Sequence, residues 1–155
     1  KHKGILYKVG RMYMDDQESR KDLQQEITIQ LWRSYKSFKG ESEFSTWMYR
    51  VSINTAITYF KKEKKHSDIF STEAFPEKQN EEYNTAADQQ IELFYKAVHQ
   101  LKPIEKAIIF YLLEGLPYKE IGKNLGISEG NARVKLNRTK EKLQQLLKLR
   151  EYGLR

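Results

Sequence analysis

The 155-residue chain sets 28 Lys and Arg against 21 Asp and Glu, a net charge of +7 at pH 7, and is 39% hydrophobic. That balance favours an anionic partner, nucleic acid ahead of an anionic membrane surface, and leaves modest cores suited to one ordinary domain or two small ones. The absence of cysteine excludes disulfides, thiolate zinc sites and thiol nucleophiles, while the lack of a run of about 18 apolar residues or an N-terminal apolar stretch argues against a bilayer span and a signal peptide.

A cytoplasmic protein is therefore expected, and an opening at Lys1 rather than methionine is what a fragment of a longer product would show. Charge divides the chain more sharply than its total does. Residues 1-66 carry 14 basic and 8 acidic groups, residues 67-88 carry 1 and 6, and residues 89-155 carry 13 and 7. The middle stretch, with Pro76, adjacent Glu81 and Glu82 and few large apolar groups, reads as a flexible acidic linker. Two basic modules on one tether gain effective concentration on a long polyanion.

Apolar residues recur at three- and four-residue steps and hairpin signals are scarce, so an all-α protein of two small helical domains is predicted. In chain order, Asp15, Asp16 and Glu18 lie in a polar turn. Leu23, Ile27, Leu31, Tyr35 and Phe38 then mark one face of a helix ending near Gly40. A second helix is expected to be capped by Ser45 or Thr46, with Phe44, Trp47, Met48 and Val51 on its buried side. The run Ser52-Ile53-Asn54-Thr55 predicts a break, because β-branched residues and side chains that compete for backbone hydrogen bonds meet there. Helix resumes through Tyr59 and Phe60 into Lys61, Lys62, Lys64 and Lys65.

In the second module an amphipathic segment, Ile91 to Leu101, stops before Pro103. A helix then runs from about Ile104 to Leu113, and Gly115-Leu116-Pro117 turns the chain. From Tyr118 to Leu136 the letters read helix, tight turn, helix: Gly126 sits at the reversal, Ser128 can cap the second helix, and Gly122 lets the two helices approach. Helical counting points Ala132, Leu136 and Leu143 inward. Gly130, Asn131, Val134, Asn137 and Arg138 then face outward, with Arg133 and Lys135 on the flanks. That is the face of a major-groove reader, with Arg and Asn able to contact base edges bidentately and Lys135 and Lys140 able to meet phosphates.

Asp22-Leu23-Gln24-Gln25-Glu26, Leu31-Trp32-Arg33 and Phe44-Ser45-Thr46-Trp47-Met48-Tyr49-Arg50 closely resemble region two of the extracytoplasmic-function sigma factors. Residues 89-147, including Leu101-Lys102-Pro103 and Gly115-Leu116-Pro117-Tyr118, resemble region four of the same family. The resemblance implies a promoter-specificity factor for core RNA polymerase, with region two at residues 1-66, region four at 89-155, and the linker at 67-88 between them. The helix bearing Asp22, Gln25, Glu26, Trp32 and Arg33 is then expected to dock on the clamp helices of the polymerase's largest subunit. Tyr49, Ser52, Asn54, Thr55, Tyr59, Lys61, Lys62, Lys64 and Lys65 are expected at the −10 element, Asn54 on a loop that receives a flipped base.

The resemblance assigns the −35 element to Ser128, Glu129, Asn131, Arg133, Val134, Lys135, Asn137 and Arg138, and gives region four a contact with the flap of the second largest subunit. It also implies control by an anti-sigma factor. Asn131-Ala132 stands where the family usually has Thr-Val, and the first helix of region two is expected to be truncated. No catalytic residue, metal or cofactor is predicted. The carboxylates at 15, 16 and 18 lack the spaced partners that metal-ion catalysis requires. The competing reading is a helix-turn-helix regulator that binds duplex DNA without polymerase, which leaves the first module unexplained.

Overall fold

The computed structural model describes residues 3-69 and 85-151, with side chains over 4-62 and 85-148. The chain divides into two compact units, Lys1-Glu81 and Glu82-Arg155. Every regular element among the described residues is helical, and none of those helices is long and apolar enough to cross a membrane.

In the first unit α1 (Lys3–Tyr13), α2 (Gln17–Ser34) and α3 (Phe44–Ile69) each pack on the other two. Buried Ile5, Val9 and Met12 give α1 one apolar stripe. Asp16, from the polar turn, caps α2: its Oδ1 accepts from the Ser19 N–H at 2.8 Å. The Arg20 side chain closes the same turn by donating to the Met14 and Asp15 carbonyls, both at 3.1 Å. Leu23 and Ile27 are fully buried.

The end of α2 differs from expectation. Helix stops at Ser34 and a 3-10 turn, Tyr35–Ser37, follows, with the Ser37 hydroxyl donating to the Ser34 carbonyl at 2.7 Å. This tighter turn swings Phe38 out of the α2 stripe and against Trp47 and Phe44, at ring distances of 5.3 and 5.7 Å. Gly40, at φ +72°, lies in the loop beyond rather than at the end of α2.

Two expectations for α3 are corrected. The helix begins on Phe44, so Ser45 and Thr46 lie inside its first turn, and the Glu43 carbonyl accepts from the Trp47 N–H. No break occurs at Ser52-Thr55. The Thr55 and Thr58 hydroxyls donate back to the Val51 and Asn54 carbonyls at 2.7 and 3.0 Å, a local bond that is compatible with continued helix. Among its described side chains Met48, Ser52, Ile53 and Ala56 are buried, while Phe44, Trp47 and Val51 lie toward the edge.

The second unit contains α4 (Ala86–His99), α5 (Pro103–Leu113), α6 (Tyr118–Leu125) and α7 (Glu129–Glu151). Every residue from Lys106 to Tyr111 is buried, which makes α5 the enclosed helix of the unit. α7 packs on α4, α5 and α6. α3 runs to Ile69 and α4 starts at Ala86, so regular helix enters both ends of the segment expected as linker; the rest of that segment, 70-84, lies outside the described residues.

Candidate nucleic-acid interface

The α6-turn-α7 geometry follows from a few small groups. Gly126 adopts φ +71° and closes α6, and the Ser128 Oγ accepts from the Asn131 N–H at 3.1 Å, capping α7. A Cβ on Gly122 would lie 2.8 Å from the Ile127 carbonyl oxygen and 3.2 Å from Ser128 backbone atoms. Hydrogen is therefore the side chain that lets the turn fold onto α6. Ala132, Leu136 and Leu143 are buried as the helical count predicts, together with Thr139, whose hydroxyl is satisfied by the Lys135 carbonyl at 2.7 Å.

With that face fixed inward, Ser128, Glu129, Asn131, Arg133, Val134, Asn137 and Arg138 are exposed and Lys135 is half-buried. Val134 is an apolar group open to contact amid polar ones, 46% exposed. The Arg133 guanidinium lies over the Tyr118 ring, 4.9 Å from its centre, and pairs with Glu129 at 3.6 Å. Tyr118 was not among the predicted contact residues, because the pairing joins two helices. Behind this face Glu105 accepts from the Lys102 N–H at 2.8 Å and from Lys142 Nζ at 2.9 Å, tying α5 to α7. Partial burial pushes the Glu105 carboxyl up, but the Lys102 hydrogen bond and Lys142 outweigh it and hold the group below its ordinary value.

On the first unit, α2 and α3 border an open groove of about 510 Å³. Asn54, Thr55, Tyr59 and Lys62 line it from α3, opposite Glu26 and Gln30 of α2. Asn54 is exposed in mid-helix rather than on a loop, since the expected break is absent. Lys61 is also exposed and Tyr49 is half-buried; the side chains of Lys64 and Lys65 fall outside the described ones. Ser52, expected among the DNA contacts, is fully buried and offers no surface to a ligand in this arrangement.

Outward on α2 stand Asp22, Gln25, Trp32 and Arg33, whereas Glu26 turns toward the groove and accepts from Gln30 Nε2 at 3.1 Å. Trp32 is 83% exposed, and Ile29, which the sequence reading passed over, is 44% exposed one turn before it. A large indole and an isoleucine thus stand open to water on an otherwise charged helix. Among the described residues no group of His, Asp and Glu is arranged to hold a metal ion.

Comparison with known proteins finds two family regions in the chain. Sigma-70 region 2 matches residues 1–66, and Sigma-70, region 4 matches residues 91–143. An ECF RNA polymerase sigma-E factor of Haemophilus influenzae is 28% identical over 135 residues, spanning 79% of this chain and 71% of the relative. Its namesake in Escherichia coli K12 is 29% identical over 143 residues, spanning 82% and 75%. Among solved structures, the sigma factor RpoE of Bartonella quintana, in complex with the anti-sigma factor NepR, matches with a TM-score of 0.71 at 18% identity, covering 94% of this chain and 91% of that one. CnrH, in complex with the cytosolic domain of CnrY, matches at 0.65 and 17% identity over 95% and 82%.

Proposed function

Because the chain belongs to the extracytoplasmic-function branch of the sigma-70 family, we propose that three helix faces divide its work: α2 holds core polymerase, α3 takes the −10 element, and α7 reads the −35 element. The protein is an alternative sigma factor, a non-enzymatic initiation factor that directs core RNA polymerase to its promoters. Its regions are taken as residues 1-66 and 89-155, with 67-88 as the tether.

The observation that carries this reading is the register of α7. Burial of Ala132, Leu136, Thr139 and Leu143 leaves a continuous outward row containing Asn131, Arg133, Val134, Asn137 and Arg138. An exposed helix of this chemistry fits the major groove, where Arg and Asn reach purine edges and valine packs on a thymine methyl. Lys135, at the flank of the row, meets a phosphate.

On α3, Asn54 offers both a donor and an acceptor at the groove, and Tyr59 supplies a ring on which an unstacked base can lie. Lys61 and Lys62, with Lys64 and Lys65 beyond, follow the backbone of the melted strand. Asp22, Gln25, Ile29, Trp32 and Arg33 form the polymerase face, with Trp32 as the anchor. Glu26 was expected on that face, but its position supports a role at the groove instead. Region four also touches the polymerase flap. The protein acts in the cytoplasm, and an anti-sigma factor covering these faces is the expected regulator, as the complex of the structural relative RpoE with the anti-sigma factor NepR suggests.

The test is reconstitution. The full chain mixed with core polymerase should co-elute as one complex, and that complex should hold a promoter fork in which the −10 region is single-stranded. Elution of the chain apart from core would refute the assignment of α2.

A further inference from the structure

The α6-α7 contact holds a feature that the −35 reading leaves unused. Arg133 stands on the first turns of α7, yet its guanidinium is held by α6, over the Tyr118 ring at 4.9 Å. Tyr118 is the first residue of α6, directly after Pro117 at φ −68°, and is half-buried, so its ring has less freedom than that of a fully exposed side chain. On the other side Glu129 lies 3.6 Å from Arg133 Nη2, close enough to pair but beyond a good hydrogen bond.

We propose that Tyr118 is a positioning residue for DNA reading: its ring fixes the Arg133 guanidinium so that the in-plane N–H donors are presented to the duplex. This inference rests on α7 being the duplex-facing helix. The ring contact engages the cation without using any of its N–H donors, which all lie in the guanidinium plane, so those turned away from Glu129 stay available for a bidentate contact. An arginine free in water must give up rotamer freedom when it binds. One already laid on a ring gives up less. The side chains of Arg133 and Glu129 are 57% and 53% exposed, so DNA reaches the guanidinium without moving the fold, and an incoming phosphate or base edge replaces the weak carboxylate contact. The Tyr118 hydroxyl has no part in the proposal, only the ring.

The experiment uses the full chain and a library of double-stranded oligonucleotides randomised over one helical turn, followed by titration of the best-bound duplex. Tyr118→Phe should match the wild type. Tyr118→Leu should bind about two- to fivefold more weakly, the worth of an exposed cation–π contact, and should lose preference at the same base positions as Arg133→Ala. In the Arg133→Ala background, Tyr118→Leu should cost nothing further. An undiminished loss in that background would overturn the proposal, because the ring would then act on DNA or on the fold directly; no loss in the single variant would overturn it as well. Should Tyr118→Leu fail to fold, Arg133→Lys at its exposed position keeps the charge without the planar stack. Lysine should lose the same base preference, and full selectivity in that variant would count against the proposal. If the wild type enriches no duplex at all, the reading of α7 falls and this inference with it, an outcome distinct from selective binding without coupling between Tyr118 and Arg133.

Discussion

Gly122 sets two general rules against each other, and the contact distances decide between them. Alanine in a helix interior is ordinarily better than glycine by about 1 kcal/mol, so Gly122→Ala on propensity alone stabilises the second unit. The added Cβ, however, would stand 2.8 Å from the Ile127 carbonyl oxygen, and an ordinary carbon–oxygen contact needs roughly 0.5 Å more. The turn must open, at a cost of about 1 to 3 kcal/mol for overpacking. The net expectation runs from near zero to about 2 kcal/mol of destabilisation, with a matching loss of duplex binding as α7 tilts off α6. Gly130 is the control. It lies on the exposed side of α7 with nothing within 4 Å of an added Cβ, so Gly130→Ala should stabilise by up to about 1 kcal/mol. Urea unfolding of the full chain, followed by far-ultraviolet circular dichroism, measures both. Equal stabilisation at the two positions would refute the close approach of α6 to the turn.

Trp32→Ala should leave the unfolding midpoint within about 0.5 kcal/mol of wild type, because the side chain is 83% exposed, yet weaken core polymerase binding about tenfold or more; unchanged polymerase affinity would return Trp32 to a bystander. Replacing Lys61, Lys62, Lys64 and Lys65 with alanine should flatten the salt dependence of DNA binding by roughly 0.7 to 0.9 per lost phosphate contact, and an unchanged slope would mean that they only solvate the end of α3. The Glu105 carboxyl is held below its ordinary value of 4.5, so its contribution is full above that pH and disappears as pH falls through the lowered value. The stability gap between wild type and Glu105→Gln should accordingly be widest above pH 4.5 and close on acidification; a gap that widened in acid would reverse the assigned sign.

What the letters revealed and what they hid have separate physical causes. The register of α7 was legible because it depends on local signals, a glycine at the reversal, a serine at the cap and apolar residues at helical spacing, all of which act within a few residues. The predicted break at Ser52-Thr55 failed because threonine hydroxyls have two local options, and in α3 they bond back along the helix. That outcome also moved Asn54 from a loop to a helix face and sent Ser52 inward. The end of α2 misled for a similar reason: a 3-10 turn satisfies the last carbonyls and redirects Phe38 onto Trp47. The Arg133-Tyr118 stack and the turn of Glu26 toward Asn54 are tertiary juxtapositions with no signal in the spacing of either element. Ile29 was hidden differently. Its chemistry fits a core position, and only its 44% exposure marks it as part of the surface around Trp32.

Promoter-dependent run-off transcription tests the central claim most directly: core polymerase with and without the full chain, on a pool of genomic promoter fragments, with the transcripts sequenced. New start sites preceded by shared −35 and −10 elements are the predicted result. Retained duplex binding with no new transcripts would contradict it and leave a helix-turn-helix protein that binds DNA without working through the polymerase.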